Sequence, residues 1–371
     1  MPKRRWGFRI FGGLVALAVL AYGGTIAWLM WHETALIFKP RTDMTTLAQT
    51  NGLHPATVRV PGADGSTSFG WEVTAPATGA AADPASDCWT LYLHGNNANL
   101  TSRGNVTRID QLRGLGLNVL AVEYPGFGEV PGIPTERGLM SAANTMYTYL
   151  RDVKHVPAEK IVIYGWSLGT GVAIPLASQV PEAAVVVEGA FTSVMRRAQA
   201  LYPYLPIRWM VRNPFLSEDY VPAIKAPVLV LHSPEDQTIP FTDGQKVYGL
   251  VSGPKAFVEL RGGHITPNLD DEDRYLGGIS GFLRAHTGCT VQEPRRSMGR
   301  ALDALLRNQG LDAALAEYRR INATPDRDRY NLAAYELTYL ASQLEDRGHA
   351  RDAQAIRALL SENPTLRTTN R

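Results

Sequence analysis

Cysteine is nearly absent: there are two in 371 residues, Cys88 and Cys289. Neither belongs to a CxxC pair, and His and Cys nowhere cluster at metal-ligand spacing, so the sequence predicts no metal. Excess charge of one sign is also missing. The 37 Lys and Arg nearly balance the 35 Asp and Glu, leaving a formal net charge of +2. That balance provides no electrostatic footprint for nucleic acid. No nucleotide-binding motif is visible, so no cofactor is implied.

What is present begins with charge at one end. Lys3, Arg4, Arg5 and Arg9 precede 22 uncharged residues, Ile10 to Trp31. At 1.5 Å per residue such a helix spans roughly 33 Å, enough for a bilayer core. Trp6 stands before the stretch and Trp28 and Trp31 at its far end, where an aromatic belt belongs. The expectation is a basic cytoplasmic segment over 1–9 and a single transmembrane signal anchor over 10–31. The rest of the chain then lies on the exported side, periplasmic or extracellular. A cleavable signal peptide is the alternative, with Ala16-Leu17-Ala18 as the cleavage site. Only about six apolar residues precede that site, however, where roughly 7–15 are needed.

Beyond the anchor, Thr57–Val60 and Phe69–Thr74 read as two antiparallel edge strands, and 75–87 as an exposed Ala/Pro/Gly-rich loop. From Trp89 onward, short apolar runs alternate with helix-length segments. The runs are 89–93, 118–122, 161–164, 184–187, 228–231 and 256–260. Runs that are apolar on both faces are buried parallel strands, and their alternation with helices predicts a doubly wound α/β domain over 45–290. The spacer 191–225 is longer than a crossover needs and rich in aromatics and prolines, which predicts a cap. The segment 295–371 has no strand-like run. Helical periodicities recur in it, and Gly310–Tyr318 resembles Gly348–Ile356. This predicts a helical extension of tetratricopeptide-like hairpins, too few for a free-standing solenoid. It is free to contact either the main domain or a protein partner.

Gly165-Trp166-Ser167-Leu168-Gly169 is a single G-x-S-x-G motif between an apolar strand and a helix-like run. In that context a serine sits on a sharp turn with its hydroxyl exposed. A serine hydroxyl needs a base, and the base needs an orienting acid. Asp236 follows the run 228–231 and His264 the run 256–260, both where loops leave carboxyl ends of strands. Ser167, Asp236 and His264 are therefore the candidate nucleophile, acid and base, with Glu235 as competitor for the acid. The amides of Asn96 and Leu168 are the candidate oxyanion donors. His94 is expected to orient the Asn96 loop, and His286 to sit at a helix C-terminus.

These blocks resemble the membrane-anchored abhydrolase-domain proteins of the α/β-hydrolase superfamily, often labelled serine aminopeptidase-like. The segments that carry the likeness are 94–100, 123–128, 132–138, 165–171, 188–193 and 227–236, in order, together with Thr34–Pro40 just after the anchor. The resemblance covers roughly residues 30–286. It implies the α/β-hydrolase fold and supports the Ser167–Asp236–His264 assignment. The chain departs from the pattern at Ile265-Thr266, where relatives usually carry polar residues ending in Asp, and at Val130, where Ser is common.

The first expected activity is hydrolysis of a carboxylic ester or thioester of an acyl substrate near the membrane. A peptidase of aminopeptidase type is the second, with Glu188 or Glu235 holding the amine. A non-catalytic binding protein is the third. Topology adds one expectation. Cys88 lies at the amino end of a strand, and Cys289 follows a helix that runs back from the catalytic edge, so both should share one face. They are either a disulfide in an oxidising compartment or two free thiols.

Overall fold

The computed structural model describes residues 3–46, 53–62, 65–75 and 88–362, with side chains from Arg9 onward. Most of the expected loop 75–87 lies outside the described residues. One eight-stranded sheet forms the body, in the order β1-β2-β4-β3-β5-β6-β7-β8. The strands are β1 Ala56–Pro61, β2 Thr67–Val73, β3 Trp89–Leu93, β4 Asn118–Glu123, β5 Ile161–Trp166, β6 Ala184–Glu188, β7 Val228–His232 and β8 Lys255–Glu259. β1 and β2 are antiparallel, and β2 is antiparallel to β4. All pairs from β4 to β8 are parallel.

Strands β3 to β7 are buried along their whole length. This is the physical reason they appear as unbroken apolar runs: helices cover both faces. One face packs on helices Glu136–Thr148 and Thr170–Ala177 through Leu139, Met146, Val172 and Leu176. The other packs on helices Arg103–Gly114 and Glu272–His286 through Ile109, Leu112, Ile279 and Leu283. On that second face a disulfide joins Cys88 to Cys289, with Cα atoms 5.5 Å apart.

The N-terminal helix runs from Lys3 to Ile37, longer than the expected anchor, and its span Arg9–Ile37 is long and apolar enough to cross a membrane. The segment between β6 and β7 folds as short helices, Val194–Leu201, Ile207–Met210 and Ser217–Tyr220. Leu205, Ile207 and Met210 of that segment pack with Ile26, Leu29 and Met30 of the N-terminal helix.

The C-terminal part is two helical hairpins, Met298–Gln309 with Leu311–Asn322 and Ala334–Asp346 with Ala350–Ala358. The two similar segments seen in the sequence each open the second helix of a hairpin. A two-residue parallel pairing of Arg296–Ser297 with Tyr330–Asn331 interrupts the otherwise helical tail. The tail has its own core around Leu302, Tyr318, Leu340 and Ile356, and it packs on the main body. Arg300 reaches Asp273 at 2.9 Å, and Tyr339 Oη donates to Asp270.

Candidate active site

The site grows out of β5. The strand ends at Trp166, and the next residue, Ser167, holds φ of +52°. That left-handed conformation is costly for a residue with a Cβ and persists only where surroundings impose it. Here they do. A Cβ on Gly169 would lie 2.0 Å from the Leu93 carbonyl oxygen, so only glycine lets the turn press against the end of β3. The chain therefore bends sharply into helix Thr170–Ala177 and lifts the hydroxyl above the carboxyl edge of the sheet.

The loops after β7 and β8 supply the partners. Ser167 Oγ and His264 Nε2 lie 2.8 Å apart, and His264 Nδ1 and Asp236 Oδ2 lie 2.6 Å apart. The other Asp236 oxygen accepts the amides of Thr238 and Ile239 at 2.7 and 2.8 Å. Burial alone would raise the Asp236 carboxyl. The His264 hydrogen bond and charge, with those two amides, outweigh it and hold the group below the usual carboxylate range. An ionised Asp236 fixes the imidazole with Nδ1 protonated, leaving Nε2 free to take the serine proton. The Asp236 side chain is 3% exposed and that of His264 12%, so both groups are largely covered. The rival acid, Glu235, instead accepts the Gly262 amide at 3.3 Å. Gly189, just past β6, closes the floor: a Cβ there would lie 3.3 Å from His264 Cε1.

The structure also brings the loop that carries Asn96 close to the serine. A Cβ on Gly95 would meet Ser167 Cβ at 3.2 Å, so the 94–97 loop lies against Ser167. His94 holds this loop as expected: Nδ1 lies 2.8 Å from the Gly95 carbonyl oxygen and Nε2 lies 2.7 Å from Glu123 Oε1. The Asn96 side chain has a task that the sequence did not announce. It donates to the Ile37 carbonyl at 2.6 Å and accepts the Lys39 amide at 2.7 Å, tying the end of the N-terminal helix to this loop. Its partners lie 59 and 57 residues away, which puts them beyond any local pattern.

A second group was only half legible: the sequence offered Glu188, but as a holder of a substrate amine, and gave no sign of its partner. Near the Ser167 turn, Arg108 Nε and Nη2 donate to the two Glu188 oxygens at 2.8 and 2.5 Å. Tyr164 Oη also donates to Glu188. The guanidinium lies 3.9 Å from the Trp166 ring and donates at 3.2 Å to the carbonyl of Ile265, next to His264. Glu188 is thus spent on a buried ion pair and is not free to hold a substrate amine. Its sequence signal was a carboxylate closing a strand buried on both faces. Arg108 carried no signal, because a charged helix residue ordinarily reads as solvated.

His286 ends helix Glu272–His286, as expected. Val130 is buried in the core rather than exposed at the site. Thr266 Oγ1 donates at 2.5 Å to Asp270, whose other oxygen receives Tyr339 Oη, so the loop of the base is tied to the tail. Among the described residues, no group of three or more His, Cys, Asp or Glu is arranged to hold a metal ion.

Comparison with known proteins agrees with this architecture. The chain is 32% identical over 271 residues to the uncharacterized protein Rv2307c of Mycobacterium tuberculosis, covering 73% of this chain and 94% of that one. It is 33% identical over 184 residues to the lysophosphatidylserine lipase ABHD12 of Danio rerio, spanning 48% of that protein's length. A family model described as Chlamydia CHLPS protein (DUF818) matches residues 80–187. Among solved structures, the Pyrococcus furiosus esterase Pf2001 superposes with a TM-score of 0.54 at 18% identity, over 68% of this chain and 98% of that one. Est1E of Butyrivibrio proteoclasticus with bound ferulic acid gives 0.52 at 15% identity, over 62% and 99%. At those identities the structures speak for the fold. The chain belongs to the α/β-hydrolase superfamily, within its membrane-anchored abhydrolase-domain family.

Proposed function

We propose that the protein is a membrane-anchored serine hydrolase that cleaves a carboxylic ester or thioester of an acyl substrate. One observation carries this reading: the unbroken line from Ser167 Oγ through His264 to Asp236, standing on a strained turn. Lipase and esterase names among the relatives and structural neighbours support ester hydrolysis.

In the first step Ser167 Oγ bonds to the substrate carbonyl carbon while His264 Nε2 takes the hydroxyl proton. The amides of Asn96 and Leu168 stabilise the resulting oxyanion. The carbon–oxygen or carbon–sulfur bond then breaks, and the alcohol or thiol leaves with the proton held by His264. Water attacks the acyl-serine, giving a proton to His264, and the acid leaves as His264 passes that proton to Ser167 Oγ. Asp236 stays ionised throughout and stabilises the imidazolium.

The basic residues at the start of the N-terminal helix, ahead of its uncharged stretch, support a cytoplasmic N-terminus. The Cys88–Cys289 bridge supports a body in an oxidising, exported compartment. The test is a panel of p-nitrophenyl esters, thioesters and aminoacyl anilides with wild type and Ser167→Ala. Hydrolysis of esters or thioesters, lost by a factor on the order of 10⁴–10⁶ in kcat in the variant, supports the proposal. Cleavage of the anilides alone contradicts it.

A further inference from the structure

The segment between β6 and β7, expected from the sequence to be a cap, packs on the N-terminal helix. Tyr22 Oη donates to the Tyr204 carbonyl at 2.8 Å, and eleven residues later the Glu33 carboxylate accepts the amides of Arg212 and Asn213 at 2.7 and 2.9 Å. Eleven residues of helix are about 16 Å long. The uncharged stretch runs from Ile10 to Trp31, so Tyr22 stands near its middle, nine residues short of Trp31. Tyr204 is therefore fixed about 13 Å below the level of Trp31, at a depth the bilayer must occupy if the helix spans it.

The side chains that the cap turns outward suit that depth. Leu201, Tyr204 and Trp209 are 64%, 70% and 82% exposed. Held in water, such a cluster is a liability, whereas a leaflet takes Leu201 into its hydrocarbon and the amphipathic Tyr and Trp rings toward its headgroup edge. Between cap and helix lies a cavity of about 500 Å³, lined chiefly by apolar side chains including Leu29, Met30, Val194, Ala198 and Met210. That volume falls within the range of ligand pockets, roughly 300–1,000 Å³. Glu33, the acidic residue in its wall, has one carboxylate oxygen, Oε1, held by the amides of Arg212 and Asn213 and by the Asn213 side chain. Ile37 also lines the cavity, and its carbonyl accepts from Asn96 of the loop against Ser167.

We propose that cap residues 201–210 embed in the membrane leaflet beside the N-terminal helix, and that the cavity between cap and helix takes the acyl chain of a bilayer lipid. The substrate then reaches the serine from the leaflet without its chain crossing water. Only the acyl-chain half rests on the ester-hydrolase reading; the embedding of the cap rests on the N-terminal helix spanning the bilayer and on its contacts with the cap.

The full chain in phosphatidylcholine vesicles tests both halves. With Cys88 and Cys289 joined, Trp209→Cys supplies the one free thiol, which is labelled with the fluorophore NBD. Quenching by lipid carrying a shallow doxyl group, with little quenching by aqueous iodide, is the expected result. Quenching by iodide with none by the lipid overturns the embedding. For the cavity, Ala198→Trp fills the acyl space. The kcat/KM ratio of p-nitrophenyl palmitate to p-nitrophenyl acetate is expected to fall at least tenfold. An unchanged ratio, whether both rates hold or fall together, overturns the acyl site. A wild-type protein that hydrolyses neither ester defeats the ester reading itself, while the quenching result still decides the fate of the cap.

Discussion

At the scale of single residues, the buried Arg108–Glu188 pair stands out beside the serine, because both ends are sealed from water, at 0% and 2% side-chain exposure. Removing one partner strands a charge. Arg108→Leu is expected to cost about 3–5 kcal/mol in denaturant unfolding, with much of it recovered in the double variant with Glu188→Leu. A single variant as stable as wild type would contradict the pairing. Glu182 gives a prediction in pH. Burial pushes its carboxyl up to about 8, from an ordinary value of 4.5. Below pH 4.5 both folded and unfolded chains hold the proton and nothing is lost. As pH rises toward 8 the unfolded chain ionises freely while the folded one resists, so stability falls. Glu182→Gln is expected to gain on the order of 1–2 kcal/mol over wild type at pH 8.5 and nothing at pH 4, by thermal unfolding at both. The sequence made the chemistry of Ser167, His264 and Asp236 visible because each ends or follows a strand. It hid Arg108 and the Asn96 side chain, whose partners are distant in the chain.

At the scale of elements, strands β3 to β7 were legible because burial on both faces forces apolar runs, and the structure places them within a residue or two of those runs. The cap was legible only as a spacer of unusual composition. Its short helices are held by Leu205, Ile207 and Met210 against the N-terminal helix, a contact with no local signature. The disulfide ties two elements, the start of β3 and the chain just after helix Glu272–His286, across a separation of 201 residues. In the chain-entropy account, a loop of that length contributes up to about 5 kcal/mol. Reduction, or Cys88→Ala with Cys289→Ala, is expected to lower the denaturation midpoint markedly without moving the site, which lies at the other end of the strands. Equal midpoints with and without reductant would show that the bridge adds no stability.

At the scale of the whole molecule, three bodies meet at one edge of the sheet. The N-terminal helix holds the Asn96 loop through Ile37 and Lys39, and the tail holds the His264 loop through Tyr339, Asp270 and Thr266. A chain beginning at residue 39 uncovers Leu205, Ile207 and Met210. It is expected to self-associate in size-exclusion chromatography unless detergent is present, and a monodisperse monomer in plain buffer would contradict the packing described. The periodicity of the tail was readable, but its docking was not, since Arg300 and Tyr339 look like ordinary surface residues on their helices.

The account as a whole stands on Ser167 being the nucleophile. Labelling the full chain with a fluorophosphonate and mapping the adduct by peptide mass spectrometry tests this directly. The prediction is one covalent adduct, on Ser167, absent in Ser167→Ala and slowed by orders of magnitude in His264→Ala. An adduct on another residue, or an ester-hydrolysing protein that takes no label at Ser167, would contradict it.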